Sequence, residues 1–182
     1  MQPSHNPDIL EACRQGDRSA FNLLVRMHQE KIFHVVKRMV PDPDDARDIA
    51  QEVFIRAFEK VSEFRGESQV FTWLYRIAVN LSLNHLRKTK LRTFFRMEDD
   101  HHDFPDSGPS PEAKVEQHEL RKIVRKAVDR LPEKQKAVFI LRYYEELSYE
   151  EIAVILTTSI GGLKANYHHA AKKIESYVRA RM

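Results

Sequence analysis

Apolar residues recur every three or four positions along most of this 182-residue chain, and nowhere do they alternate for long. That period predicts helices near 8–15, 18–39, 44–61 and 70–90 in the first half. In the second half it predicts helices near 112–130, 133–145, 149–156 and 160–179. Pro41 and Pro43 separate the second helix from the third, Arg65 and Gly66 open the loop before the fourth, and Pro132 starts the sixth. Between the halves, Glu98 to Pro111 mixes acids, prolines and a glycine, and reads as an extended linker. The expected architecture is all-α. Two small helical domains, residues 1–92 and 120–182, are joined by an acidic 93–119 segment that runs into the first helix of the second domain.

Two helices of the first half carry surfaces that the pattern leaves unburied. In 44–61, Ala46, Ile49, Ala50, Val53, Phe54, Ala57, Phe58 and Val61 form the expected core face. Asp44, Asp45, Asp48, Gln51, Glu52 and Glu59 make the opposite face acidic. Such a face repels DNA and suits a protein partner with a basic surface. It equally fits a solvated face whose first-turn acids match the helix macrodipole. In 70–90, Leu74, Tyr75, Ala78, Val79, Leu81, Leu83 and Leu86 cover about two-thirds of the circumference. Trp73, Arg76, Asn80, Asn84 and Arg87 share the remaining arc of about 80°. Arginine binds phosphate, amides read base edges and exposed aromatics stack on unpaired bases, so this stripe suits single-stranded DNA better than a closed duplex. Its plainer reading is a solvated face with a half-buried tryptophan.

The last third reads as a helix-turn-helix. Ser148 and Glu151 form a capping box before a short helix with Ile152, Ala153 and Leu156 on its apolar face. Thr157 to Gly161 has the length of the turn, with Ser159 able to cap the next helix. There Leu163, Tyr167, Ala170 and Ile174 recur toward the core, while Lys164, Ala165, Asn166, His168, His169, Lys172 and Lys173 face outward. A recognition helix puts its N-terminal outward residues on base edges and its cations on phosphates. Lys164 and Asn166 are candidates for bases, and Lys172 and Lys173 for phosphates.

Charge supports that division. Residues 1–92 carry 15 Lys/Arg against 12 Asp/Glu, residues 93–119 carry 2 against 8, and residues 120–182 carry 13 against 7. Two basic ends flank an acidic middle, which speaks to partners rather than to fold. The single Cys13 forms no internal disulfide and reads as a small buried hydrophobe in a reducing compartment. No apolar run has the length of a membrane span, and the N-terminus has no signal-peptide pattern. The pairs His101-His102 and His168-His169 lack further ligands at metal spacing, so no metal is expected. No nucleophile, glycine-rich phosphate loop or carboxylate pair points to catalysis, a cofactor or a small-molecule substrate.

Six segments, taken in order, resemble the bacterial sigma factors of the extracytoplasmic function (ECF) group in the sigma-70 superfamily. They are Ala20 to Val25, Asp48-Ile-Ala-Gln-Glu-Val-Phe54, Phe64-Arg-Gly-Glu-Ser, Thr72-Trp-Leu-Tyr-Arg-Ile-Ala-Val-Asn80, Leu131-Pro-Glu-Lys and Leu147-Ser-Tyr-Glu-Glu-Ile-Ala153. The resemblance covers nearly the whole chain. It implies a cytoplasmic, non-catalytic subunit that binds core RNA polymerase, recognises the −35 and −10 promoter elements and promotes melting. The first domain would be sigma region 2, meeting the β′ clamp helices through Asp48, Gln51 and Glu52. Phe64, Trp73, Arg76, Asn80, Asn84 and Arg87 would hold the single-stranded −10 element. The second would be region 4, reading −35 duplex through Ser159, Lys164, Asn166, His168, Lys172 and Lys173 while the β flap grips its other face. The acidic tether would thread polymerase channels, and an anti-sigma factor is a further expected partner. Where many relatives have Gly-Thr-Val-Lys-Ser-Arg, this chain has Gly-Gly-Leu-Lys-Ala-Asn, which leaves fewer phosphate clamps. Two rivals, a duplex-binding helix-turn-helix regulator and a protein-only adaptor, leave respectively the acidic helix and the basic C-terminal domain without a purpose.

Overall fold

The computed structural model describes residues 7–64, 66, 68–96 and 113–182. Among these, every regular element is helical: α1 (Pro7–Arg14), α2 (Arg18–Met39), α3 (Pro43–Lys60), α4 (Val70–Arg96), α5 (Ala113–Asp129), α6 (Glu133–Phe139), α7 (Tyr149–Leu156) and α8 (Ile160–Arg179). A 3-10 turn, Val61–Glu63, follows α3, and a π-helical turn, Ile140–Tyr144, follows α6. The acidic stretch 97–112, with the His101-His102 pair, lies outside the described residues.

Local chemistry sets the helix ends. After α1 the chain turns through Gly16, whose φ of +90° only glycine adopts freely. The Gly16 and Asp17 amides donate to the Cys13 and Ala12 carbonyls at 3.0 and 2.9 Å, closing the last turn. Asp17 then caps α2 by accepting from the amides of Ser19 and Ala20. Asp42 does the same for α3, ahead of Pro43 in the first turn. The Ser148–Glu151 capping box of α7 is complete, at 3.1 Å and 2.7 Å. Two elements depart from the expected bounds. Nothing in residues 91–96 breaks a helix, so α4 continues to Arg96. The single helix expected over 133–145 instead widens after Phe139 into the π-helical turn and stops at Glu145, followed by Glu146 at φ +55°.

In the first domain α2, α3 and α4 pack against one another, with α1 laid on α2. Leu24, Ile32, Val35, Val36 and Met39 of α2 meet Ala46, Val53 and Ala57 of α3 and Leu74, Ala78 and Val79 of α4, all nearly inaccessible. Cys13 is buried beside them, and burial pushes its thiol pKa up, as does nearby Asp17. In the second domain α8 packs on α5, α6 and α7 around Val138, Ile140, Leu141, Ile152, Ile155, Leu163 and Ala170. Lys136 is buried there at 3% exposure, its ammonium 2.7 Å from Asp129, which answers the cost of a lone charge in that core. The domains touch: α4 packs on α7 and α6, and α2 on the π-helical turn.

One expected core residue is not in the core. Phe58 is 47% exposed, with its ring edge against Phe21 at 5.0 Å. Three helices leave α3 only a narrow buried strip, and Ala57 and Val61 fill its C-terminal end.

Candidate nucleic-acid interface

The polar stripe of α4 is presented as the periodicity predicts. Leu74, Ala78 and Val79 are fully buried, whereas Arg76, Asn80, Asn84 and Arg87 are exposed on the other side. Trp73 is half-buried, its ring 4.8 Å from that of Phe64 at an interplanar angle of 31°. Phe64 itself is 8% exposed. It therefore sits behind Trp73 and fixes its ring at the head of the stripe. Thr72 and Ser82, the other polar residues of this stretch, are buried, and the Ser82 hydroxyl donates to the Ala78 carbonyl at 2.8 Å. Arg87 is already engaged, its Nε donating to Glu133 of the second domain at 3.4 Å. A surface that begins with an aromatic platform and continues with arginine and amides can stack one base and hold the strand that follows.

The helix-turn-helix forms with α7 as its first helix and α8 as its second. Thr157 ends α7 at φ +50°, and the Ser159 hydroxyl accepts from the Gly162 amide at 3.3 Å, so this serine is occupied in capping. Lys164, His168 and Lys172 are exposed and, at 100° per residue, lie within about 80° of one another. Asn166 and Lys173 fall roughly 160–180° from Lys164 and do not join that arc. The Asn166 amide is instead used within the helix, donating to the Gly162 carbonyl at 2.9 Å. His169 lies exposed between the two groups, its ring 5.9 Å from that of His168. The Lys164 ammonium stands 5.8 Å above the Tyr149 ring, which also receives the Arg142 guanidinium at 5.4 Å. The arc thus offers cations and an imidazole to a groove, with no exposed aromatic.

Both halves match known families. Residues 24–92 match Sigma-70 region 2, and residues 121–174 match Sigma-70, region 4. The chain is 34% identical to the RNA polymerase sigma-H factor of Pseudomonas aeruginosa, over 96% of this chain and 94% of the relative. It is 36% identical to the ECF RNA polymerase sigma-E factor of Escherichia coli K12, over 94% and 93%. The chain belongs to the ECF sigma factors of the sigma-70 family. Solved structures with the same fold include the sigma factor RpoE of Bartonella quintana in complex with the anti-sigma factor NepR (TM-score 0.70, 20% identity, 87% of this chain and 96% of that one). CnrH in complex with the cytosolic domain of CnrY is another (TM-score 0.69, 19% identity, 96% and 97%). Its function is that of an alternative sigma factor in transcription initiation, acting with core RNA polymerase on promoter DNA.

In this sigma factor the acidic face of α3 stands clear of the core. Asp48 and Gln51 are exposed; Glu52 is half-buried and holds Arg56 at 2.7 Å. Ile55 (54% exposed) lies in the same arc, and Phe58 at its edge. With Phe21, Asn22 and Phe54 they line an open groove between α2 and α3. Apolar residues in the middle of an acidic stripe are what a protein partner, rather than water, accounts for. The sequence reading missed them by placing Phe58 in the core. The available signal was Ile55, which fits the acidic period and not the apolar one.

The second cluster that sequence alone did not reveal is at the domain junction. Glu145 accepts from Arg38 Nη1 at 2.7 Å and from the Tyr75 hydroxyl at 2.9 Å. Arg38 also lies 4.7 Å over the Tyr144 ring. Burial, then the Glu145 carboxylate, pushes the Tyr75 hydroxyl well above the usual phenol range, so it remains a donor at neutral pH. These partners are 107 and 70 residues apart in sequence, beyond the reach of any local pattern.

Proposed function

We propose that this sigma factor opens the −10 element with the surface running from Phe64 to Arg87 and reads the −35 element with Lys164, His168 and Lys172. Trp73, backed by Phe64, stacks on the first unpaired base; Arg76 and Arg87 hold phosphates, and Asn80 and Asn84 face base edges. Each stacked base contributes roughly 1–3 kcal/mol, comparable to the cost of extracting one base from the duplex. Asp48, Gln51 and Glu52 dock on the polymerase clamp, and Ile55 and Phe58 supply the apolar contact that charge alone would not. Asn166 and Lys173 have at most a peripheral part, being on the far side of α8, and Ser159 acts by holding the helix start. The chain works as a non-catalytic subunit in the cytoplasm. No described helix is long and apolar enough to cross a membrane. An anti-sigma protein is an expected regulator, since RpoE and CnrH were each solved with a regulatory partner.

The observation that carries this reading is the exposed Arg76–Asn80–Asn84–Arg87 stripe on a helix otherwise buried, in one chain with a helix-turn-helix. Run-off transcription with purified core polymerase and a library of genomic fragments tests it. Transcripts from sites that core polymerase ignores are expected only when the chain is added, and Asp48→Arg should abolish co-purification with core. Transcription unchanged by the chain would refute the assignment.

A further inference from the structure

We propose that the domain junction is a latch that holds the unbound sigma factor closed, with Glu145 as its central acceptor, and that promoter engagement requires its release. This inference rests on the assignment of the two DNA-reading surfaces given above. One carboxylate, its side chain 11% exposed, takes a guanidinium from α2 on one oxygen and a hydroxyl from α4 on the other. The Tyr144 ring, one residue before it, lies beneath the same guanidinium. The π-helical turn thus delivers a carboxylate and an aromatic face together to Arg38. The second tie, Arg87 to Glu133, ties up a member of the strand-holding stripe with a carboxylate of region 4. In the closed chain that arginine is offered an anion in place of DNA phosphate.

Dimensions show why the latch must open. A compact chain of this length has a radius of gyration of ~16 Å, and is about 40 Å across. The −35 and −10 elements lie about 25 base pairs apart, on the order of 80 Å of duplex at about 3.4 Å per base pair. A sigma factor with its two domains in contact cannot touch both. The closed form therefore reduces apparent promoter affinity by the fraction of molecules that are open. The ties are polar and exchange for water on opening, which suits a reversible switch.

The experiment combines small-angle scattering of the full chain with run-off transcription titrated in sigma factor, using Arg38→Glu, Glu145→Arg and the double charge swap. Each single variant should expand the free chain and lower the sigma concentration for half-maximal transcription on the order of tenfold. The swap should restore both values. Tyr75→Phe, which keeps the ring, should give a smaller shift in the same direction and serves if a charge variant fails to fold. Single variants that melt like the parent yet stay as compact would overturn the latch. Expansion without a lower half-maximal concentration would overturn it too. If the parent chain starts no transcripts, the promoter assignment fails, whereas compaction lost in the single variants and regained in the swap would still establish the latch.

Discussion

Helices α4 and α8 both meet nucleic acid, yet they are built on opposite plans. In α4 the apolar surface wraps most of the circumference, so a narrow stripe remains, headed by a tryptophan locked on Phe64. In α8 the core takes Leu163, Ala170 and Ile174 with partly buried Tyr167, and the rest of the helix is open. Its DNA-facing arc has two lysines and a histidine and no exposed ring. A paired base hides its faces and shows only edges and phosphates, which cations and hydrogen-bonding groups can use. A freed base exposes its faces, which only a flat apolar partner can use. The comparison teaches that the presence or absence of a supported aromatic separates the two modes, while positive charge is common to both.

The sharpest way to break that comparison is to remove the frame of one helix and ask whether the other notices. Leu163→Ala empties a fully buried site and should cost about 2–5 kcal/mol, seen as early melting and loss of −35 duplex binding. Capture of a −10 oligonucleotide should survive. Next in size, Trp73→Ala should weaken open-complex formation by about 1–3 kcal/mol per lost stack while leaving core association within twofold. Permanganate footprinting and co-purification read the two quantities separately, and equal losses would show that Trp73 serves folding instead. Lys164→Ala should cost about 1–2 kcal/mol and flatten the response to −35 base changes, measured by fluorescence anisotropy on a set of duplexes. The smallest effect belongs to Lys172→Ala. It should lower the slope of log affinity against log salt by about one, with sequence preference intact. A changed preference would move Lys172 from phosphate to base.

Much of this was legible in the sequence where the deciding force is local. The α4 stripe followed from spacing alone, because Leu74, Ala78 and Val79 claim one side of the helix. The caps at Ser148 and Ser159 followed from their side chains, which satisfy amides two or three residues away. Spacing failed where a helix has two apolar neighbours to choose between. Phe58 fits the core period of α3, but the core had no room for it, and its ring rests on the edge of Phe21. Asn166 failed for a related reason. Counting it as outward was correct, but outward covers half the circumference of α8, and the amide turns back to Gly162. The Glu145 cluster was invisible because its members come from α2, α4 and the end of the π-helical turn.

That wide turn has a consequence for how the chain tolerates length changes. Over Ile140–Tyr144 the backbone holds one residue more per turn than ordinary winding requires. Deleting a single residue there would let α6 continue with regular winding, and everything downstream would swing by about 100°. The reading head would keep its shape yet point elsewhere on the first domain. The extra residue is thus an angular setting, adjustable by one codon.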